Sequence, residues 1–212
     1  MILCFLNSQN HFSDFKFKFM KSICVFCASS LGNHPVYAET AFELGEILAE
    51  NGIELIYGGA QVGLMGKVAD GALSKKGKVT GIIPEFLQTK EIAHHSLNEL
   101  ITVQTMHERK ALMHDRSDAF IALPGGFGTM EELFEILTWA QLSLHQKPIG
   151  VLNINGYYDP LIQLVDKMIE EELLRNEYKG MLLISDSVED LLSQMNLYEV
   201  PTAKKWIGTE IM

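Results

Sequence analysis

Two glycine-rich runs and one basic cluster hold the residue types that could do chemistry. The first run is Tyr57-Gly58-Gly59-Ala60-Gln61-Val62-Gly63-Leu64-Met65-Gly66; the second is Pro124-Gly125-Gly126-Phe127-Gly128-Thr129-Met130-Glu131-Glu132. Glycine lets backbone approach a ligand closely and adopt positive φ, and a helix start offers unpaired N–H groups at the positive end of its dipole. Together they make a seat for one phosphate. The cluster Met106-His107-Glu108-Arg109-Lys110 adds two cations. Arginine grips oxyanions or sugar hydroxyls with a planar fork, while lysine acts as a point charge.

Each feature also has a plainer explanation. Thr129-x-x-Glu132 is a capping box, in which Thr caps a helix and Glu reaches back to its backbone N–H. Capping accounts for both residues but leaves Gly125, Gly126 and Gly128 unexplained. The first run could be a tight turn with close helix–strand packing, and Arg109 and Lys110 a solvated helix face. No Gly-Lys-Ser/Thr closes either run, and the first strand lacks G-x-G-x-x-G, which counts against a P-loop and against NAD chemistry. No H-E-x-x-H occurs, and the seven histidines read as loop or surface residues, so no metal is expected.

The elements that must position these residues alternate. Short apolar strands are expected at Ser22–Ala28, Ile53–Tyr57, Lys78–Ile83, Leu100–Gln104, Ala119–Leu123, Ile149–Asn153 and Met181–Ile184. Helices are expected from Pro35 to Gly52, Gly63–Lys75, Met106–Arg116, Met130–Leu144, Pro160–Leu174 and Val188–Met195, with an irregular stretch after Pro84. Strands joined by such helices imply crossovers and a parallel sheet covered on both faces, a Rossmann-like, doubly wound α/β fold. That fold binds ligands at the carboxyl ends of its strands, near the point where strand order reverses. Both glycine runs begin where a strand stops.

Length and composition bound the rest. The 212 residues, 47% hydrophobic and 21% charged, fit one folded domain. A net charge of −10 would repel a polyphosphate backbone, so no nucleic-acid partner is expected. No apolar run approaches the ~18–20 residues of a membrane span, so no membrane partner is expected either. Cys24 and Cys27 form C-x-x-C within a strand, where residues three apart face opposite ways, and they read as small buried hydrophobes. The lack of a disulfide framework points to the cytoplasm. Residues 1–19, with five phenylalanines, read as an appendage, because Met20-Lys21 opens a clean strand. The domain is placed at 20–200 and a tail at 201–212.

The second run has the P-G-G-x-G-T-x-x-E form of the LOG (Lonely Guy) phosphoribohydrolases, once labelled lysine decarboxylases, and Met106–Lys110 resembles their other motif. Cys27-Ala-Ser-Ser30, Tyr57–Ala60, Gly63–Gly66 and Thr138-Trp-Ala-Gln141 resemble the same family in the same order. The resemblance implies hydrolysis of a nucleoside 5′-monophosphate, a cytokinin riboside monophosphate or AMP, to free base and ribose 5-phosphate. It implies no cofactor and a homodimer. Carried over, Arg109 and Glu132 are the catalytic pair. Glu91, Lys110, Gly125, Gly126, Phe127, Gly128, Thr129, Met130 and Glu131 contact phosphate or nucleotide. Ser29, Gly58, Gly59, Gly63, Met65 and Gly66 are further candidates. Thr129 and Glu132, at i and i+3, share a helix face, whereas Glu131 is turned by about 100°. A phosphate at the helix start would therefore bring the ribose within reach of Glu132. Two other readings stay open: a non-catalytic nucleotide or cofactor carrier on the same fold, and a pyridoxal-phosphate decarboxylase using Lys67 or Lys110 as its Schiff-base lysine.

Overall fold

The structure, a computed structural model, describes residues 20–91 and 93–201, and side chains except at 89–91. The appendage expected at 1–19, and the tail beyond its first residue, lie outside the described residues. Seven strands, β1 (Ser22–Phe26), β2 (Glu54–Tyr57), β3 (Val79–Pro84), β4 (Glu99–Val103), β5 (Ala119–Ala122), β6 (Ile149–Leu152) and β7 (Leu182–Ser185), form one parallel sheet. Their order is β4-β3-β2-β1-β5-β6-β7. The chain thus runs outward from β1 to one edge, then returns to the other side of β1 for β5 to β7. The reversal lies between β1 and β5, whose residues are buried throughout.

The helices are α1 (Pro35–Glu50), α2 (Gly63–Ser74), α3 (Glu85–Glu91), α4 (Met106–Asp115), α5 (Phe127–Gln141), α6 (Asp159–Glu170) and α7 (Val188–Asn196). Pro35 sits in the first turn of α1, where its missing N–H costs nothing, and His34 Nδ1 accepts from Val36 N at 3.2 Å. Ala41, Leu44 and Leu48 recur along α1 and pack on one sheet face with residues of α2 and α7. The other face is covered by α4 and α5, with Tyr158 beside α6. Cys24 belongs to this second cluster and Cys27 to the first, so the C-x-x-C pair is split across the sheet and both thiols are free and buried.

Three details differ from the expected elements. The irregular stretch after Pro84 contains α3, seven residues long and too short to display a helical period. Helix α5 starts at Phe127 rather than Met130, because Gly126 serves as its N-cap. It ends at Gln141, and Ser143 then turns at φ 61°. The histidines are not all at the surface: His94 bonds Asp70 Oδ1 at 3.1 Å, and His145 bonds Ile136 O at 2.9 Å, both buried. Among the described residues no helix is long and apolar enough to cross a membrane.

Helices α1 and α2 touch backbone to backbone. A Cβ on Gly45 would lie 2.1 Å from Val68 O, and one on Gly71 would lie 2.0 Å from Phe42 O. Because backbone meets backbone, neither neighbour can yield cheaply. Gly45→Ala is expected to lower stability, since overpacking costs about 1–3 kcal/mol and outweighs the gain in helix propensity. A lower urea midpoint with an unchanged m-value would be the measured result.

Candidate active site

Three loops converge at the reversal. Leu64 N, at the start of α2, donates to Ala28 O at 3.0 Å and so ties α2 to the loop after β1. Gly63 (φ +60°) lets that contact form, because a Cβ there would lie 2.2 Å from the Ser29 carbonyl carbon. Ala28 N donates to Pro124 O at 3.3 Å, joining the β1 and β5 loops. Tyr157 Oη donates to Gly125 O at 2.5 Å and Tyr158 Oη to Leu123 O at 2.6 Å, holding the β5 loop from beneath. Neither tyrosine was singled out by motif.

That loop delivers the start of α5. The first intrahelical bond runs from Met130 N to Gly126 O at 3.1 Å, and no side chain caps the helix. The N–H groups of Phe127, Gly128 and Thr129 therefore precede the hydrogen-bonded turn. The capping-box reading of Thr129 and Glu132 is thus corrected: both lie inside the helix. Thr129 packs under the loop, its Oγ1 2.0 Å from where a Gly125 Cβ would stand, which accounts for Gly125. A Cβ on Gly126 or Gly128 would meet no protein atom within 4 Å, so packing asks for glycine at neither.

A capping box does exist at α4. Glu108 N donates to Thr105 Oγ1 at 3.1 Å, and Glu108 Oε2 accepts from Thr105 N at 3.3 Å and Gln104 N at 2.8 Å. It sets the start of α4 so that Arg109, one turn in, points inward. Arg109 is 7% exposed; its Nε donates to Ile82 O at 3.1 Å and its Nη2 to Gly58 O at 3.2 Å. The solvated-face reading fails for Arg109. A Cβ on Gly58 would stand 2.0 Å from Nη2, so this glycine makes room for the guanidinium.

The result is a pocket of about 310 Å³, lined by the β1 end (Val25 to Ser30), Gly58, Met65, Arg109, Met113, Gly126 to Thr129 and Glu132. Among the expected residues the pocket gathers Arg109, Glu132, Gly126, Phe127, Gly128, Thr129, Ser29, Gly58 and Met65. Phe127 stands 98% exposed at the rim. Others are elsewhere. Lys110 Nζ pairs with Glu131 and, at 3.0 Å, with Glu135, so this expected phosphate cation and Glu131 hold each other across α4 and α5. Met130 packs against the second core cluster. Gly59 turns at φ +79°, and a Gly66 Cβ would lie 2.1 Å from Gln61 O, so Gly59, Gly63 and Gly66 shape the loop rather than line the pocket. Glu91 closes α3, and its side chain lies outside the described residues. Motif reading missed the lining residues Val25, Phe26 and Met113, and of the motif Cys27-Ala-Ser-Ser30 it carried over Ser29 alone, although Cys27, Ala28 and Ser30 line the pocket as well. The rule that ligands sit at strand ends pointed to the β1 end.

Electrostatics set the two charged residues apart. Burial pushes the Glu132 carboxyl up to about 7, the Arg109 guanidinium pulls it back, and Glu131 adds to the rise. Burial also holds the Cys27 thiol well above its ordinary range, so it stays protonated. Among the described residues no cluster of three or more His, Cys, Asp or Glu could hold a metal. None of the residues lining the pocket is a lysine that could form a Schiff base, and Lys67 lies in a separate hollow beside α1.

A family model described as "Possible lysine decarboxylase" matches residues 65–195. The chain is 46% identical over 194 residues to a probable cytokinin riboside 5′-monophosphate phosphoribohydrolase of Oryza sativa subsp. japonica, covering 89% of this chain and 87% of that one. An Arabidopsis thaliana cytokinin riboside 5′-monophosphate phosphoribohydrolase is 42% identical over 191 residues, 88% of this chain and 90% of that one. The chain belongs to the LOG family. Solved structures share its fold. The molybdenum cofactor binding protein of Rippkaea orientalis superposes at TM-score 0.59 with 22% identity over 83% of this chain and 94% of that one. The Chlamydomonas reinhardtii molybdenum cofactor carrier protein superposes at 0.61 with 19% identity over 83% of this chain and 96% of that one. At those identities the likeness is one of fold, whereas the LOG relatives match at 42–46% identity over nearly nine-tenths of the chain.

The raised Glu132 pKa has a stability signature. From about pH 4.5 to 7 the native state keeps a proton that the unfolded chain has lost, so stability falls as pH rises through that window. Glu132→Gln removes the penalty and is expected to be more stable relative to the parent at pH 8 than at pH 5, by up to about 3 kcal/mol. Urea unfolding of both proteins at the two pH values measures this. An equal difference at both would contradict burial as the cause.

Proposed function

We propose that the chain hydrolyses the N-glycosidic bond of nucleoside 5′-monophosphates, cytokinin riboside 5′-monophosphate or AMP, releasing free base and ribose 5-phosphate. One observation carries the reading: an uncapped helix start, a carboxyl one turn further along that helix, and a buried arginine open into one pocket. The named activity of relatives covering nearly the whole chain supports it.

In this reading the N–H groups of Phe127, Gly128 and Thr129 bind the phosphate, and Gly126 and Gly128 leave room for it. The ribose then lies over the face of α5 that carries Glu132. Cleavage develops an oxocarbenium-like ribose, which an ionised Glu132 stabilises while it orients the attacking water. Arg109, locked by two backbone carbonyls, presents its remaining N–H groups to the sugar hydroxyls and to Glu132. Its part is orientation and charge, since a guanidinium does not give up its proton. Binding energy from the remote phosphate holds the sugar for reaction.

The unit proposed to do this is residues 20–200, acting in the cytoplasm. The end of α5 exposes Leu142 and Leu144, which supports a contact between two copies.

Incubation with AMP and with isopentenyladenosine monophosphate, followed by chromatography of free base, tests the activity. The parent is expected to release base, whereas Glu132→Gln and Arg109→Ala lose at least about 100-fold in kcat/KM. Binding without release would transfer the reading to a carrier. The kcat/KM of the parent should rise with pH through about 7, because the ionised carboxylate is the working form. Gly126→Ala should keep the parent's urea midpoint yet raise KM about tenfold or more, since only the ligand needs that space. A lowered midpoint with unchanged KM would assign Gly126 to the fold instead.

A further inference from the structure

Glu132 also lines a second, smaller void of about 10 Å³ between α4 and α5, which shares Phe26 with the pocket. Lys110 and His114 on α4 and Glu132 and Glu135 on α5 reach it. Phe26, Phe120, Ile136 and Trp139 close the remainder. About 10–15 Å³ accommodates one water, provided two to four polar partners surround it.

His114 is held firmly at this void. Its ring stacks on Phe120 at 5.6 Å with an interplanar angle of 15°, and meets the edge of Trp139 at 5.0 Å. Its Nδ1 lies 3.1 Å from Asp115 Oδ1. A carboxylate only accepts, so Nδ1 carries the proton and Nε2 of the neutral ring is an acceptor. That Nε2 is buried and has no hydrogen-bond partner in the protein. Lys110 Nζ spends two donors on Glu131 and Glu135 and keeps a third.

We propose that His114 is a positioning residue for Glu132, acting through one water in this void. The water donates one proton to His114 Nε2 and the other to the Glu132 carboxylate, and accepts from Lys110 Nζ. This inference rests on Glu132 being the working carboxylate of the proposed hydrolysis. The carboxylate gains a donor from this void, while Glu132 also lines the pocket that would take the sugar. The other charged or titratable groups acting on Glu132 are Arg109 and Lys110 from α4, Glu131 and Glu135 on its own helix, and the protonated thiols of Cys24 and Cys27 on β1 and its following loop.

His114→Phe keeps the aromatic stack and removes Nε2; His114→Gln keeps a polar atom near its place. The Glu132 carboxyl is titrated by carbon NMR without substrate, and kcat and KM are measured against pH. In His114→Phe the midpoint is expected to rise by about one unit, because a donor to the charged form is gone. Its kcat at pH 7 falls about tenfold with KM within twofold, and His114→Gln recovers most of both. An unmoved midpoint, or a Gln variant as impaired as Phe, overturns the proposal. Should the parent release no base, the hydrolytic reading fails while the carboxyl titration still decides the contact. If His114→Phe does not fold, a high-resolution crystal structure of the parent decides: density between Nε2 and Glu132 supports the water, and none overturns it.

Discussion

The site depends on how a buried guanidinium is kept. Removing a charge from water is costly unless it is paired and hydrogen-bonded, and Arg109 meets that cost with two backbone carbonyls, Ile82 O within β3 and Gly58 O just after β2. Those acceptors are dipoles and leave the positive charge uncancelled. The nearby carboxyl does not fully cancel it either, because burial favours the protonated form of Glu132. The pocket therefore retains positive potential from Arg109 and from the start of α5, inside a protein whose net charge is −10. A phosphomonoester meets an environment opposite in sign to the molecule that carries it.

The two glycine runs, alike in composition, do different work. In the first, Gly58 yields space to an arginine, Gly63 lets the β1 loop approach, Gly59 turns the chain against β3, and Gly66 packs on the backbone of Gln61. In the second, Gly125 yields space to Thr129, while Gly126 and Gly128 face only the pocket. A glycine demanded by backbone and one demanded by a ligand look identical as letters. The neighbours of an absent Cβ tell them apart.

Much of the architecture was legible beforehand, because buried parallel strands are continuous apolar runs and their helices carry clear periods. What stayed hidden depends on partners remote in sequence. Lys110 beside Arg109 read as a second phosphate cation, yet one residue along a helix is a turn of about 100°, and that rotation delivers Lys110 to Glu131 and Glu135. Thr129-x-x-Glu132 has the spacing of a capping box, but the helix begins three residues earlier. The genuine box, Thr105-x-x-Glu108, was equally visible and passed unremarked. Tyr157 and Tyr158 lie more than thirty residues from the loop they support, a relation that no local pattern encodes.

The reversal of strand order at β1 has a consequence for biosynthesis. Arg109 reaches the pocket from the half of the sheet built by β1 to β4, and Glu132 from the half begun by β5. A ribosome-bound chain that has completed only the first half holds the cation without the carboxyl, and β5 has yet to take its place beside β1. Chemistry becomes available only once the second half has docked along that seam. In the proposed reading, catalytic competence therefore requires β5 in place beside β1 and is a property of the docked halves together.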